Sequence, residues 1–227
     1  MITELVMLIS VILLEWVGFK VWKRYNEKRE KNLFFLSLYL ICAGIGIVFY
    51  ILRMLFVNLP ELTLILYRIG GLFTVTTGVS GAVFSLLIMK PKHEKKIIYF
   101  FIICLLIMWL LLLTVPLTIE PIEIEFYEKP FVTQRTEMIM GMPQKLPIFF
   151  LGIILGIIPS ILFFYSGIKV GGLIRKKSYL FGLGFLIFFL ATFLDGLAPS
   201  PNLLWAWRLM YGLAALVIYK GFLIKTK

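Results

Sequence analysis

Ionisable residues at the edges of long apolar runs are the first candidates for chemistry in this chain. Three Arg and one Asp lie at such positions, accompanied by polar-tipped aromatics, and the set is Arg53, Tyr67, Arg68, Asp195, Trp205, Arg208 and Tyr211. Charged groups in apolar spans are costly and are commonly tied to function. A guanidinium binds a carboxylate through two parallel hydrogen bonds. The positive excess therefore predicts a pocket for a small anionic ligand.

These residues also have a simpler interpretation. A long Arg side chain can extend to the membrane interface, where Tyr and Trp commonly form a belt. For each Arg alone, this interpretation is preferred to ligand binding. Asp195 and Arg208 come from neighbouring apolar runs joined by a short Pro-containing loop. For that pair, the sequence favours an ion pair that clamps two helices together.

Glu15 lies deeper in an apolar run than any of these residues. It follows about 12 residues of the first run, a depth of ~18 Å along a helix. A carboxylate at that depth is expected to be protonated, paired or facing water. It is therefore a candidate proton or cation site. The alternative is a polar contact with a hydroxyl of the third run, which carries Thr74, Thr76, Thr77 and Ser80.

The elements that must position these residues are apolar helices. The chain of 227 residues is 61% hydrophobic, whereas soluble domains are nearer ~45–50% apolar. Roughly 20 apolar residues cross the hydrocarbon core as a helix. Seven runs meet that length, at about 3–22, 33–57, 62–89, 97–117, 147–168, 178–198 and 203–223. We predict an all-α polytopic membrane helical bundle of seven transmembrane helices, forming a single domain over 1–227.

The distribution of Lys and Arg predicts the orientation of the bundle. Cytoplasmic loops carry an excess of these residues. With seven spans, one side of the membrane receives most of them: Lys20, Lys23, Arg24, Lys28, Arg29, Lys31, Lys90, Lys92, Lys95, Lys96, Lys169, Arg175, Lys176, Lys177, Lys220, Lys225 and Lys227. We therefore expect an N-out, C-in protein of the cell membrane. Anionic membrane lipids, rather than nucleic acid, then account for the net charge of +11.

The longest loop, 118–146, predicts a short extracellular β-hairpin between helices 4 and 5. Residues from Ile122 to Phe126 alternate between apolar and polar types, which is typical of a strand. The sequence 128–130 can turn and 131–135 can return as a second strand. Such a hairpin either covers a pocket as a lid or is a solvated acidic connector.

No catalytic motif is found in the sequence. There is no Gly-rich phosphate loop, no HExxH motif and no Ser/His/Asp set, since the single His93 lies in a Lys-rich loop. The two cysteines, Cys42 and Cys104, cannot form a zinc ribbon or an iron–sulfur site. We expect a protein that is not an enzyme and that has no cofactor and no metal.

The layout resembles a known class of sensor. Seven spans, a basic loop after span 1 and Tyr67-Arg68 near the start of span 3 are similar to the seven-helix sensor region at the N-terminus of many prokaryotic histidine kinases. The segments Arg175-Lys176-Lys177, Phe193-Leu194-Asp195 and Tyr219-Lys220-Gly221-Phe222 add to the likeness. No kinase domain follows span 7. The resemblance implies an outward-facing ligand pocket that includes Arg68 and Asp195, and signalling through a separate protein.

Three functions are compatible with these features. The first is a receptor-like or sensor-type module that binds a ligand or partner at its outer face. The second is an accessory or structural subunit of a membrane complex. The third is a small transporter that uses Glu15 as its coupling carboxylate. Low Gln content with abundant Ile, Lys and Glu further suggests a thermophilic prokaryote.

Overall fold

The computed structural model describes residues 2–56, 59–114, 118–123, 134–139, 142–197 and 201–224. Its side chains are described within 5–53, 55–56, 59–114, 155–194 and 205–224. The described residues form seven α-helices and two strands. The helices are α1 (Ile2–Lys28), α2 (Lys31–Leu55), α3 (Pro60–Met89), α4 (Glu94–Thr114), α5 (Met142–Lys169), α6 (Gly172–Leu197) and α7 (Pro201–Leu223).

The helices extend past the predicted spans at their basic ends. Residues 23–28 continue α1. Helix α6 includes Arg175, Lys176 and Lys177, which lie between two of the predicted spans. Lys and Arg are good helix formers, so a helix can continue beyond the apolar stretch. Helix α1 is followed by Arg29, and α6 begins at Gly172. Both residues have a left-handed backbone, with φ angles of 56° and 59° respectively.

Two strands connect α4 and α5. Strand β1 (Thr118–Glu123) pairs antiparallel with β2 (Gln134–Ile139), and the register places Thr118 opposite Ile139. The expected strands were 122–126 and 131–135, so the pairing lies closer to the two helices than the alternation indicated. The expected turn at 128–130 lies outside the described residues.

Six helices close into a ring, and one stays outside it. The neighbours in the described part follow the order α1, α2, α3, α5, α6, α7 and back to α1, whereas α4 packs mainly on α3. Successive helices run in opposite directions. One end of the bundle therefore carries β1 and β2, the end of α2 and the starts of α3 and α7, and we call it the strand end. The other, rich in Lys and Arg, is the basic end.

Aromatic rings fill the centre of the six-helix ring. Tyr39 of α2 packs on Phe185 of α6 with ring centroids 4.8 Å apart, and Phe163 of α5 lies parallel to Phe185 at 5.8 Å. Phe84 of α3 contacts both Phe163 and Phe185. All of these side chains are buried. The described centre of the bundle is thus a packed core.

The helices are suited to a membrane. Five of them, within the part of the chain that the structure describes, are long and apolar enough to cross one: Leu5–Lys28, Lys31–Arg53, Pro60–Met89, Pro91–Thr114 and Gly172–Leu194. Many large apolar side chains on α1 and α4 are exposed, including Phe19 and Phe100. Exposed apolar surface of this extent is expected where lipid is the solvent. The protein therefore has the character of a membrane-spanning protein.

Candidate functional site

The strand end of α2 and α3 holds a cationic and aromatic group. The guanidinium of Arg53 lies over the rings of Tyr50 and Tyr67, 5.6 Å and 5.0 Å from their centroids. The two rings meet edge to face at 5.7 Å. The Tyr50 hydroxyl is 3.3 Å from Oγ1 of Thr74, which anchors the ring to α3. Contact with ring faces attracts a cation and fixes the plane of the guanidinium.

Arg68, the next residue after Tyr67, is directed at α4. Its Nη1 donates a hydrogen bond to the carbonyl oxygen of Leu113, in the last turn of α4. The last carbonyls of a helix have no partner within the helix and carry partial negative charge. Arg68 therefore stabilises the end of α4 and attaches α4 to α3. Arg68, which the sequence analysis places in the ligand pocket, therefore makes a structural contact between two helices.

Arg208 and Tyr211 lie on α7, across the ring of helices from α3. Arg208 is 6% exposed, and its carbonyl oxygen accepts a hydrogen bond of 2.8 Å from Oγ of Ser10 on α1. Tyr211 is buried against Phe188 of α6, with centroids 5.2 Å apart. Trp205 remains 46% exposed. The start of α7 is thus held between α1 and α6, with a buried cation in its second turn.

The predicted pocket residues are only partly brought together by these contacts. Arg53 and Tyr67 touch, whereas Arg68 contacts α4 and the α7 residues contact α1 and α6. Each of Arg53, Tyr67, Arg68, Arg208 and Tyr211 also makes a further interaction. The side chain of Asp195 lies outside the described residues. The Asp195–Arg208 clamp therefore stays a prediction.

Glu15 lies in the seam between α1 and α2. A methyl group added at Gly44 of α2 would be 2.2 Å from Oε1 of Glu15 and 3.0 Å from its Cδ, so the carboxyl group rests on the Gly44 backbone. Oε1 is buried and has no hydrogen-bond partner among the described residues. Its neighbours along α1, Ile12 and Phe19, are exposed. Glu15 therefore lies where the helix seam meets the lipid-facing surface.

Three of the four hydroxyls considered as partners for Glu15 are bonded within α3, and the fourth, that of Ser80, is buried. Thr74, Thr76 and Thr77 each donate to a carbonyl oxygen four residues earlier in α3. Gly44 was not singled out from the sequence. The signal that points to it is its small size on α2, together with Gly18 on α1, where an added methyl group would be 2.7 Å from Ile41. Small residues of this kind allow two helices to approach closely.

Metal-binding groups are dispersed in the described part of the chain. No cluster of three or more His, Cys, Asp or Glu that could hold a metal ion occurs there. Cys42 and Cys104 are both free thiols. No protein-family model matches the chain, and no curated protein matches it significantly.

Proposed function

We propose that the protein is a receptor-like or sensor-type membrane module that binds an anionic ligand at its strand end and acts through a separate protein. The observation that carries this proposal is the Arg53 guanidinium held on the faces of Tyr50 and Tyr67. A guanidinium carries its N–H groups along its edge, in a planar fork that matches a carboxylate or phosphate group. A cation fixed in this way is oriented in advance for a carboxylate or phosphate group.

The finer topology belongs to this proposal. We place all seven helices across the membrane, with the N-terminus and the strand end outside the cell and the basic end in the cytoplasm. The distribution of Lys and Arg supports this orientation. In this orientation, β1 and β2 form an extracellular hairpin near the end of α2 and the start of α7, where they can cover a ligand that reaches Arg53 or Arg208.

A charge-matched pair of variants tests ligand binding. The purified protein in detergent is titrated with succinate and with inorganic phosphate while its melting temperature is followed. We expect at least one anion to raise Tm, because ligand binding stabilises the folded state. Arg53→Gln should abolish the shift, and Arg53→Lys should weaken it because Lys lacks the planar fork.

Arg24→Gln is the matched control for Arg53→Gln. Arg24 lies at the basic end and also places its guanidinium over a ring, that of Phe222, at 4.9 Å. Its loss removes the same charge and a similar ring contact, so it should leave the anion response intact. The proposal fails if Tm responds to neither anion, or if the two variants reduce the response equally. Native mass spectrometry of protein taken gently from host membranes would identify the natural ligand.

A second candidate is an accessory subunit of a membrane complex, and α4 favours it. This helix packs mainly on α3 among the described helices, and only 17% of the residues in its most apolar stretch are buried. Its surface could be covered by another polypeptide instead of lipid. A stoichiometric second polypeptide in native mass spectra, without any bound small molecule, would favour this candidate over a sensor.

The transporter hypothesis rests on Glu15. Its Oε1 is buried without a hydrogen-bond partner in the described part of the chain. An acceptor in that state can bind a proton or a cation. If the carboxylate couples transport, Glu15→Gln in proteoliposomes should abolish proton-dependent uptake of a substrate that the wild type carries. Equal flux in the variant would remove this hypothesis.

A further inference from the structure

A shallow groove runs along the first turns of α6 at the basic end. It has a volume of about 360 Å³ and is lined by Gly172, Arg175, Lys176, Tyr179, Leu180 and Leu183. These residues are three or four positions apart and so share one face of the helix. From Arg175 to Leu183 the groove extends ~12 Å along the helix axis.

The lining changes from basic to apolar along this length. Arg175 and Lys176 are exposed at one end, and Leu183 is 42% exposed at the other. Tyr179 lies between them, and its ring holds the Arg175 guanidinium at 5.5 Å from the centroid. Next to the basic end, a methyl group added at Gly171 or Gly172 would meet no atom within 4 Å. An open, uncrowded surface for a polar group therefore precedes an apolar surface along the same helix.

Other cations lie at the same end of the bundle as this groove. Lys177 interacts electrostatically with Arg24 and Lys28 of α1, and with a single carboxylate, that of Glu30. Lys169, at the end of α5, lies over the ring of Tyr165 at 4.2 Å. Positive charge clustered beside a membrane attracts anionic lipid. The field here favours a negative headgroup.

We propose that this groove binds one anionic phospholipid. Arg175 and Lys176 hold the phosphate, the open space at Gly171 and Gly172 leaves room for the rest of the headgroup, and an acyl chain lies along Leu180 and Leu183. The Arg fork suits a phosphate, and Lys adds a mobile point charge. The site does not depend on the ligand proposed for the strand end, which lies at the opposite end of the bundle.

Native mass spectrometry with two lipids of equal acyl chains tests this assignment. The protein in detergent is mixed with phosphatidylglycerol or phosphatidylcholine, and the bound fraction is measured at each concentration. We expect phosphatidylglycerol to be retained preferentially. In the double variant Arg175→Gln/Lys176→Gln, its affinity should fall by about 30-fold for the loss of two basic contacts. The affinity for phosphatidylcholine should change little.

The double variant Lys92→Gln/Lys95→Gln is the charge-matched control, since both lysines are exposed and lie outside the groove. It should retain phosphatidylglycerol. An equal loss in both double variants would show that lipid binding depends on general surface charge, and it would overturn the proposal.

Leu183→Trp should fill the apolar end of the groove and weaken lipid binding without any change of charge. If inorganic phosphate at millimolar concentration displaces the lipid completely and Leu183→Trp has no effect, the groove is a site for a free anion and the proposal is wrong.

Discussion

The contact between Glu15 and Gly44 leads to a prediction that can be worked out from distances. In Gly44→Ala the new methyl carbon would lie 2.2 Å from Oε1, 3.0 Å from Cδ and 3.2 Å from Cγ of Glu15. Because three successive atoms of the side chain are too close, a small rotation of the carboxyl group cannot relieve the overlap. Glu15 must change rotamer, or α1 must move away from α2.

The expected cost follows from overpacking. Extra methyl groups in a well-packed interior destabilise by about 1–3 kcal/mol. Replacing Gly by Ala in a helix opposes this by up to ~1 kcal/mol. A double-mutant cycle with Glu15→Ala removes the propensity change, since it occurs in both backgrounds. The remaining coupling between Gly44→Ala and Glu15→Ala should be about 1–3 kcal/mol, with Gly44→Ala better tolerated when Glu15 is absent.

The assay is reversible unfolding in mixed micelles of increasing SDS content, followed by circular dichroism. Gly78→Ala is the matched control, because an added methyl group there meets only Cβ of Leu155, at an ordinary 3.4 Å. Its effect should add to that of Glu15→Ala within ~0.5 kcal/mol. If Gly44→Ala and Glu15→Ala are additive within the same margin, the carboxyl group does not rest on Gly44 and its placement in the α1–α2 seam is refuted.

Two further predictions concern packing and surface charge. In Gly184→Ala the methyl group would lie 2.5 Å from Cγ1 of Ile218 and 3.2 Å from its backbone N, so α6 and α7 must separate. Unfolding in SDS should show a loss of about 1–3 kcal/mol relative to Gly78→Ala, and equal stability would contradict the α6–α7 contact. The exposed ion pair of Lys31 and Glu94 joins α2 to α4. Lys31→Ala should cost less than ~1 kcal/mol in the same assay, and a larger loss that persists in high salt would contradict a solvent-screened pair.

The long apolar runs made the helices predictable. Within the described residues, each of the seven predicted spans falls on a helix. Long apolar runs favour helices where lipid is the solvent, because a helix satisfies its own backbone groups. The start of α6 was not anticipated, since Arg175 to Lys177 looked like a loop. The loop instead ends at Gly172, whose left-handed φ suits glycine. Charge marks where a span leaves the hydrocarbon, and a helix can continue through that point.

The position of each candidate residue along its helix was predictable from the sequence, but the neighbours of its side chain were not. Arg53, Arg68 and Arg208 lie within about two turns of the strand end of their helices. Depth follows from position along a run, whereas the neighbour of a side chain depends on the lateral order of the helices. Neither the contact of α3 with α4 through Arg68 nor the position of α7 against α1 follows from the lengths and polarity of the runs.

The order of the helices nevertheless has a signature in the polarity of each run. Among the five described candidate spans, α4 is the most apolar. It also has the smallest share of buried residues in its most apolar stretch, 17%. Helix α3 is among the least apolar and the most buried, 56%, and its buried residues include Thr63, Thr77 and Ser80. A hydroxyl or glycine is a poor surface for lipid but suits close contact between helices. A run of nearly uniform Leu, Ile and Phe, as in α4, therefore indicates a peripheral helix, and a run that mixes Gly, Ser and Thr indicates a central one. Helix α6 departs from this relation, since it is about as polar as α3 but only 33% buried. Its first two turns carry Arg175 and Lys176, which are exposed at the basic end. The polarity of these two residues serves the surface and not contact between helices, which is the condition that a headgroup site requires.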